Sequence, residues 1–339
     1  MEQGGIRLEW LTGAVKEKWL RLLAEAELTY EGDPERCIIA RDGEEICATA
    51  SIDGDVVKYV AVRGGYQNQG LSSMAVSGIL EDAMMRGKKK LFLFTANDKT
   101  ASFSPLGFSH IASFRGVSLM EWGFLKISDY ANKLSAYKAD GKNAAIVMNA
   151  NPFTLGHRHL IQEASKNADR VHVFMVKENR SVFPFKARYR MVKEGVSDLR
   201  NVIVHPGSEY ILSSVTFPSY FIKEAGEKSA WQAGLDIKVF QKYICPALDI
   251  RVRFVGEEPF DLATKAYNEK MKEILLPEGI EVREIKRLET AGEAVSASRV
   301  RKLLSENKSI DHLVPDSSKR YLETEDGKMI IGRLRENGN

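Results

Sequence analysis

At 339 residues the chain exceeds one ordinary hydrophobic core, so two domains are the natural expectation. Its 44% hydrophobic and 28% charged residues are the proportions of a soluble globular protein, and a net charge of +3 argues against nucleic acid and membrane surfaces as partners. No apolar run approaches the roughly 18 residues that span a bilayer, and the opening MEQGGIR lacks the basic-then-apolar order of a secretion signal. Cys37, Cys47 and Cys245, an odd count without a CxxC, read as buried reduced thiols and suggest a cytoplasmic protein.

In chain order, a helical pattern through Val15, Trp19, Leu22, Leu23 and Ala26 precedes a turn at Gly32-Asp33-Pro34. Strands are predicted over 37–40, 46–52 and 56–62, separated by Asp-Gly hairpin signals. A glycine-rich loop, 63–72, then opens a helix that runs to about Arg86. Residues 91–95 read as a strand, 101–106 as a short helix, and Gly107-Phe108 as the turn into another strand.

This first part, over about 1–125, resembles the GNAT acetyltransferase fold. The residues that carry the likeness are Gln67-Asn68-Gln69-Gly70-Leu71-Ser72, Asn97, and the stretch from Ser102 to Phe108. In that family the loop offers backbone N–H groups to the pyrophosphate of coenzyme A, so the resemblance implies phosphate-contacting roles for Gln67 and Gly70. A tyrosine often stands four residues before the Gly-Phe glycine as general acid; here the position is Phe103, which has no proton to give. Ser128-Asp129 reads as an N-cap of a connecting helix, and the domain boundary is expected within 126–142.

From 143 to 339 strands and helices alternate, which predicts a Rossmann-like parallel sheet with helices on both faces and ligands at the carboxyl ends of its strands. The expected strands are 144–148, 171–176, 202–205, 251–255 and 280–285. Helices are expected to 167, over 186–196, 217–225, 235–243 and 263–275, with a final one from 298. The first strand feeds Asn149-Ala150-Asn151-Pro152-Phe153-Thr154-Leu155-Gly156-His157. Strand, turn and helix start make an anion-binding geometry; Thr154 and His157, three apart, share a face near the positive helix end. Gly156 between them would let a phosphate approach the backbone. His159 lies about 200° round the helix from His157, off that target.

A second helix start, Val295-Ser296-Ala297-Ser298-Arg299-Val300-Arg301, offers Ser296 as cap and puts Ser298 and Arg301 on one face. Arg180 or Lys177, after a strand, either neutralises phosphate or belongs to a solvated loop. Residues 207–221 suit an acceptor pocket, and Gly256, in a strand-end loop running to Phe260, could admit adenine or ribose.

The pair of motifs resembles the nucleotidyltransferase superfamily, whose signatures are (His/Thr)-x-Gly-His early and Ile-Ser-Ser-Thr-x-x-Arg late. The resemblance implies ATP, Mg²⁺ accompanying it, and attack on the α-phosphorus without a covalent enzyme intermediate. By the same resemblance His157, Thr154 and Arg301 would carry the chemistry, with Asn151, Phe153, Gly156, Arg180, Gly256, Ser296 and Ser298 around the nucleotide. A GNAT-like domain ahead of such a domain resembles the citrate lyase ligase family. That implies acetate and the acyl carrier subunit of citrate lyase as partners; the carrier's prosthetic group derives from dephospho-coenzyme A. An adenylyltransferase acting on a small phosphorylated acceptor such as phosphopantetheine, and a non-catalytic coenzyme-A-binding regulator, are the alternatives.

Overall fold

The computed structural model describes residues 5–177, 181–211, 225–257 and 262–336, the side chains of 225–230 and 262–263 excepted. The chain divides into two compact units, Met1–Ala131 with Ser214–Val239, and Asn132–Ser213 with Phe240–Asn339. The expected helix over 217–225 falls almost wholly outside the described residues.

The first unit opens with β1 (Arg7–Trp10) and α1 (Lys16–Glu25), then β2 (Arg36–Asp42), β3 (Glu45–Asp53) and β4 (Val56–Val62). Gly43 and Gly54 take φ of 55° and 57°, the left-handed backbone that tight hairpins demand. After α2 (Leu71–Met85) come β5 (Lys90–Ala96), α3 (Thr100–Phe103), β6 (Ser109–Phe114), β7 (Val117–Gly123) and α4 (Ile127–Ser135). The strands form one sheet in the order β1-β2-β3-β4-β5-β7-β6. β1 has no counterpart in the sequence reading, because its Arg-Leu-Glu-Trp alternation is only four residues long and all four are exposed. Strand neighbours are antiparallel except β4 and β5, which run parallel and pair at Val56↔Phe92 and Val57↔Leu93. Ile38 packs with Ala75, Val76 and Ile79 of α2. Its neighbour Ile39 packs with Trp19, Leu22 and Leu23 of α1, so the two helices cover opposite faces.

In the second unit β8 (Asn143–Met148), α5 (Leu155–Asn167), β9 (Arg170–Met175), α6 (Phe185–Gly195) and β10 (Val202–His205) alternate as expected. Next comes α7 (Ala225–Val239), which belongs to the first unit: Gly234 lies on Phe114 of β6, where a Cβ would stand 2.2 Å from the ring. Strand–helix alternation gives no warning of that excursion. A π-helical turn (Phe240–Ile244), α8 (Cys245–Leu248), β11 (Ile250–Gly256), α9 (Leu262–Leu275) and β12 (Glu281–Ile285) bring the chain back to the sheet. The small hairpin β13 (Glu289–Thr290) and β14 (Glu293–Ala294) leads to α10 (Ala297–Ser305). That helix is not the last, as expected from sequence: α11 (Asp316–Leu322) and α12 (Glu325–Glu336) follow.

The five strands run parallel in the order β10-β9-β8-β11-β12. The chain builds outward from β8 to β10, then returns to the other side of β8 for β11 and β12. β8 and β11 therefore flank the point where strand order reverses, the position at which an open parallel sheet leaves a crevice at its carboxyl edge. Among the described residues no helix is long and apolar enough to cross a membrane.

One face of this sheet holds a buried histidine pair. His172 Nδ1 on β9 lies 2.9 Å from His205 Nε2 on β10, and His205 stacks on Phe174 at 4.8 Å between ring centroids. Loss of hydration pulls His172 down to about 3, with His205 and Arg170 adding to it, and pulls His205 down to about 4. A histidine unfolded titrates near 6.5, so the unfolded chain takes up protons first on acidification. The pair's contribution to stability is complete above about pH 6.5 and is lost as pH falls from there toward 4 and 3. The thermal midpoint should accordingly decline over that window, and a His172→Leu, His205→Leu double variant should lose most of the slope in a pH series of melting curves.

Candidate functional site

The site grows from the turn between β8 and α5. Ala150 adopts φ of 49°, a left-handed conformation that costs a residue with a Cβ about 1–2 kcal/mol. Thr154 is then the N-cap of α5: its hydroxyl accepts from the His157 N–H at 3.3 Å, and its own N–H donates to His157 Nδ1 at 3.1 Å. That reciprocal capping box fixes the imidazole. Because Nδ1 accepts, the neutral ring carries its proton on Nε2, and Nε2–H is the donor left for a ligand. Desolvation, with the Arg287 guanidinium second, pulls His157 down to about 4, so the ring is neutral at physiological pH. Phe153 stacks behind it at 6.0 Å.

The second helix start arrives beside the first. Ser296 caps α10, accepting from the Arg299 N–H at 3.2 Å. Arg301 donates from Nη2 to Ser298 Oγ at 3.1 Å and from Nη1 to the Asn151 carbonyl at 2.5 Å. Gly156 makes the approach possible, since a Cβ there would stand 2.6 Å from the Val295 carbonyl oxygen.

Between the two starts lies a cleft of about 430 Å³, bounded by the carboxyl ends of β8 and β11 and by 285–288 after β12. Two helix N-termini, Lys286, Arg287 and a neutral imidazole face it, and no carboxylate is among its described lining residues. Such a donor set suits a polyanion and does not suit a resident divalent cation.

Thr154, Gly156, His157, Gly256, Ser296 and Ser298 line this cleft together. Several other positions differ from the sequence expectation. The Thr154 side chain is fully buried and its hydroxyl is used by the cap, so it orients His157 and has little left for a triphosphate oxygen. The space beside Gly156 is taken by the Val295 carbonyl, so the glycine admits a second helix start where a phosphate was expected. Phe153 is fully buried against Gly195, away from the lining, and its carbonyl accepts from Ser318 at 2.8 Å. Asn151 and Arg301 hold each other behind the lining, and the Asn151 Oδ1 accepts from the Phe183 N–H. Lys177 pairs with Glu209 at 2.7 Å, whereas Arg180 lies outside the described residues, as do 212–221 of the expected acceptor pocket and 258–260. Gln67 and Gly70 lie in the first unit, both exposed, with Gly70 at φ 75° capping α2.

Sequence reasoning missed Lys286 and Arg287. They follow β12 directly, and the rule that strand ends carry ligands, applied to the last strand as to the others, would have found them. Arg287 is anchored through Nε to the Glu257 carbonyl at 2.8 Å. His159 also lines the cleft, because the cleft follows the flank of α5 as far as Leu160 and reaches more than one face of the helix.

Compared with known families, residues 143–322 match the citrate lyase ligase C-terminal domain, and residues 6–108 match the acetyltransferase (GNAT) family. Among characterised proteins, the citrate (pro-3S)-lyase ligase of Klebsiella pneumoniae is 39% identical, covering 89% of this chain and 91% of that protein. The ligase of the same name from Escherichia coli K12 is 38% identical over 89% of each chain. That of Haemophilus influenzae is 33% identical, over 83% of this chain and 87% of the other.

The Gly156–Val295 contact sets backbone against added carbon, which neither side can yield cheaply. Gly156→Ala should cost about 1–3 kcal/mol in denaturant unfolding.

Proposed function

The chain belongs to the citrate lyase ligase family, and from that premise we propose that it acetylates the thiol of the citrate lyase acyl carrier with ATP and acetate, by way of acetyl adenylate. In the first step an acetate oxygen attacks the α-phosphorus, the bond from that phosphorus to the bridging oxygen breaks, and pyrophosphate leaves in line. In the second the carrier's thiolate attacks the acetyl carbonyl carbon, and AMP departs with the electron pair. The net products are acetylated carrier, AMP and pyrophosphate.

The observation that carries this reading is the convergence of two capped helix starts on one basic, carboxylate-free cleft, with the Nε2–H of a neutral imidazole at its wall. Negative charge gathers on the α-phosphoryl oxygens as the pentacoordinate transition state forms. Nε2–H of His157 donates to them, and its tautomer is already set by Thr154, so little reorganisation is needed. The N–H groups at the start of α10, Ser298, Lys286 and Arg287 hold the β- and γ-phosphates. Arg301 fixes the Ser298 hydroxyl and the Asn151 turn, and grips no phosphate itself. Gly256, half-buried at the end of β11 with open space where a Cβ would stand, leaves room for the nucleoside. The cleft's described lining offers no carboxylate to hold a metal, so Mg²⁺ would be held by the triphosphate's own oxygens and would supply charge neutralisation there. The free cysteines, all buried, suit a cytoplasmic enzyme.

The Gln67–Gly70 loop is proposed to hold the pyrophosphate of the carrier's prosthetic arm. Gly70 at the start of α2 has open space around its Cα, and β4 and β5 part soon after Val57.

His157→Ala should lower acetate-dependent ATP–pyrophosphate exchange by about 10²–10³ while leaving the KM for ATP within a few-fold. Since His157 stays neutral down to about pH 4, exchange should show no step near pH 6.5 from this group. A released adenylylated product, or ATP binding and turnover indifferent to the substitution, would mean a different enzyme or none. Gly70→Asp should weaken carrier acetylation and spare the exchange reaction; equal loss of both would remove the loop from the arm's binding site.

A further inference from the structure

Placement of His157 depends on where α5 begins, and α5 begins where the Asn149–Asn151 turn delivers it. That turn is held by a residue outside the cleft. Arg188, fully buried on α6, donates from Nε to the Phe183 carbonyl at 2.9 Å. From Nη1 it reaches the Asn149 carbonyl at 2.8 Å, the Asn149 Oδ1 at 2.7 Å and the Val176 carbonyl at 3.0 Å. One guanidinium thus ties the ends of β8 and β9 to the loop before α6. The Asn149 side chain, oriented in this way, lines the cleft and donates from Nδ2 to Ser181 Oγ at 3.1 Å. Directly after it stands Ala150, buried and left-handed at φ 49°, a conformation alanine adopts only when its surroundings insist.

We infer that Arg188 is a positioning residue for nucleotidyl transfer: acting through Asn149, it holds Ala150 left-handed and thereby sets the entry of α5 and the direction of the His157 Nε2–H. A planar fork spanning several carbonyls does this where a point charge on a flexible stem does not. The inference rests on the nucleotidyl-transfer reading, and a wild-type chain inert in exchange would sink that reading itself.

The test uses the full chain, with circular dichroism and melting curves to establish folding. In Arg188→Lys the kcat of ATP–pyrophosphate exchange should fall about tenfold with the KM for ATP within about threefold, because a misdirected donor is felt most in the transition state. Adding Ala150→Gly should restore part of that kcat, since glycine takes positive φ without the side-chain penalty and needs less holding. A folded Arg188→Lys with wild-type kcat overturns the inference, as does a loss confined to KM, a loss that tracks the unfolded fraction with temperature, or no recovery from Ala150→Gly. If Arg188→Lys does not fold, Ser181→Ala, which removes one partner of the Asn149 side chain, should lower kcat about threefold with an unchanged midpoint. A wild-type kcat in that variant overturns the inference too.

Discussion

The close passage of Gly156 against the Val295 carbonyl is the constraint on which the second unit's chemistry depends. Two helices separated by about 140 residues of sequence start side by side because one position in the first turn of α5 has no Cβ. Each start brings unpaired N–H groups and a partial positive charge, and each spends a side-chain oxygen, from Thr154 or Ser296, on its own cap. What remains of both is aimed at the same volume. A single helix start is a weak anion site; two with Lys286 and Arg287 beside them give a cleft with hydrogen-bond donors on several sides.

Around that cleft the arginines divide the work. Arg301 and Arg188 are taken up by carbonyls at the two ends of the Asn149–Asn151 turn, so their positive charge is spent on holding backbone in place. Arg287 stands in the lining and acts on His157 at a distance, opposing a proton on the imidazole. Loss of hydration first, and Arg287 second, keep the ring a neutral hydrogen-bond donor, which suits stabilisation of charge on phosphoryl oxygens. A general base would need a pKa nearer the working pH.

Much of this was legible in the chain. The alternation from 143 onward gave the parallel sheet, and the Ser296 cap and the Asn-Pro turn before Thr154 gave both helix starts, because turns and caps are local chemistry read from a few residues. The Asp-Gly hairpins of the first unit were legible for the same reason. Whatever depended on tertiary approach was hidden. Gly156 looked like room for a ligand until Val295 was found in that room. Arg301, a chemistry-bearing side chain by resemblance, is taken up by the Asn151 carbonyl. The placement of α7 beside β6 rests on the fit of Gly234 to a ring more than 100 residues away, which no periodicity records. Thr154 was found for the right position and with the wrong partner: the hydroxyl is turned inward to the cap.

The first unit poses a narrower question, namely what a GNAT-type domain does in the same chain as a citrate lyase ligase domain. Phe103 is buried and packs edge-on to Phe108 at 6.0 Å, so the position where that family often keeps an acidic hydroxyl serves the core. Asn97 is likewise engaged internally, its Oδ1 accepting from Ser118, which meets Ser113 in turn. The loop before α2 is different, since Gly70 keeps its left-handed φ and its open surroundings. Acetyl transfer from coenzyme A to an amine must dispose of a poor thiolate leaving group, and an acid there lowers the barrier. An acyl adenylate already has a good leaving group in AMP, so a thiol acceptor requires no proton donor for it. A domain that keeps the loop and gives up the acid is consistent with holding a pantetheine arm whose acetyl group is activated elsewhere.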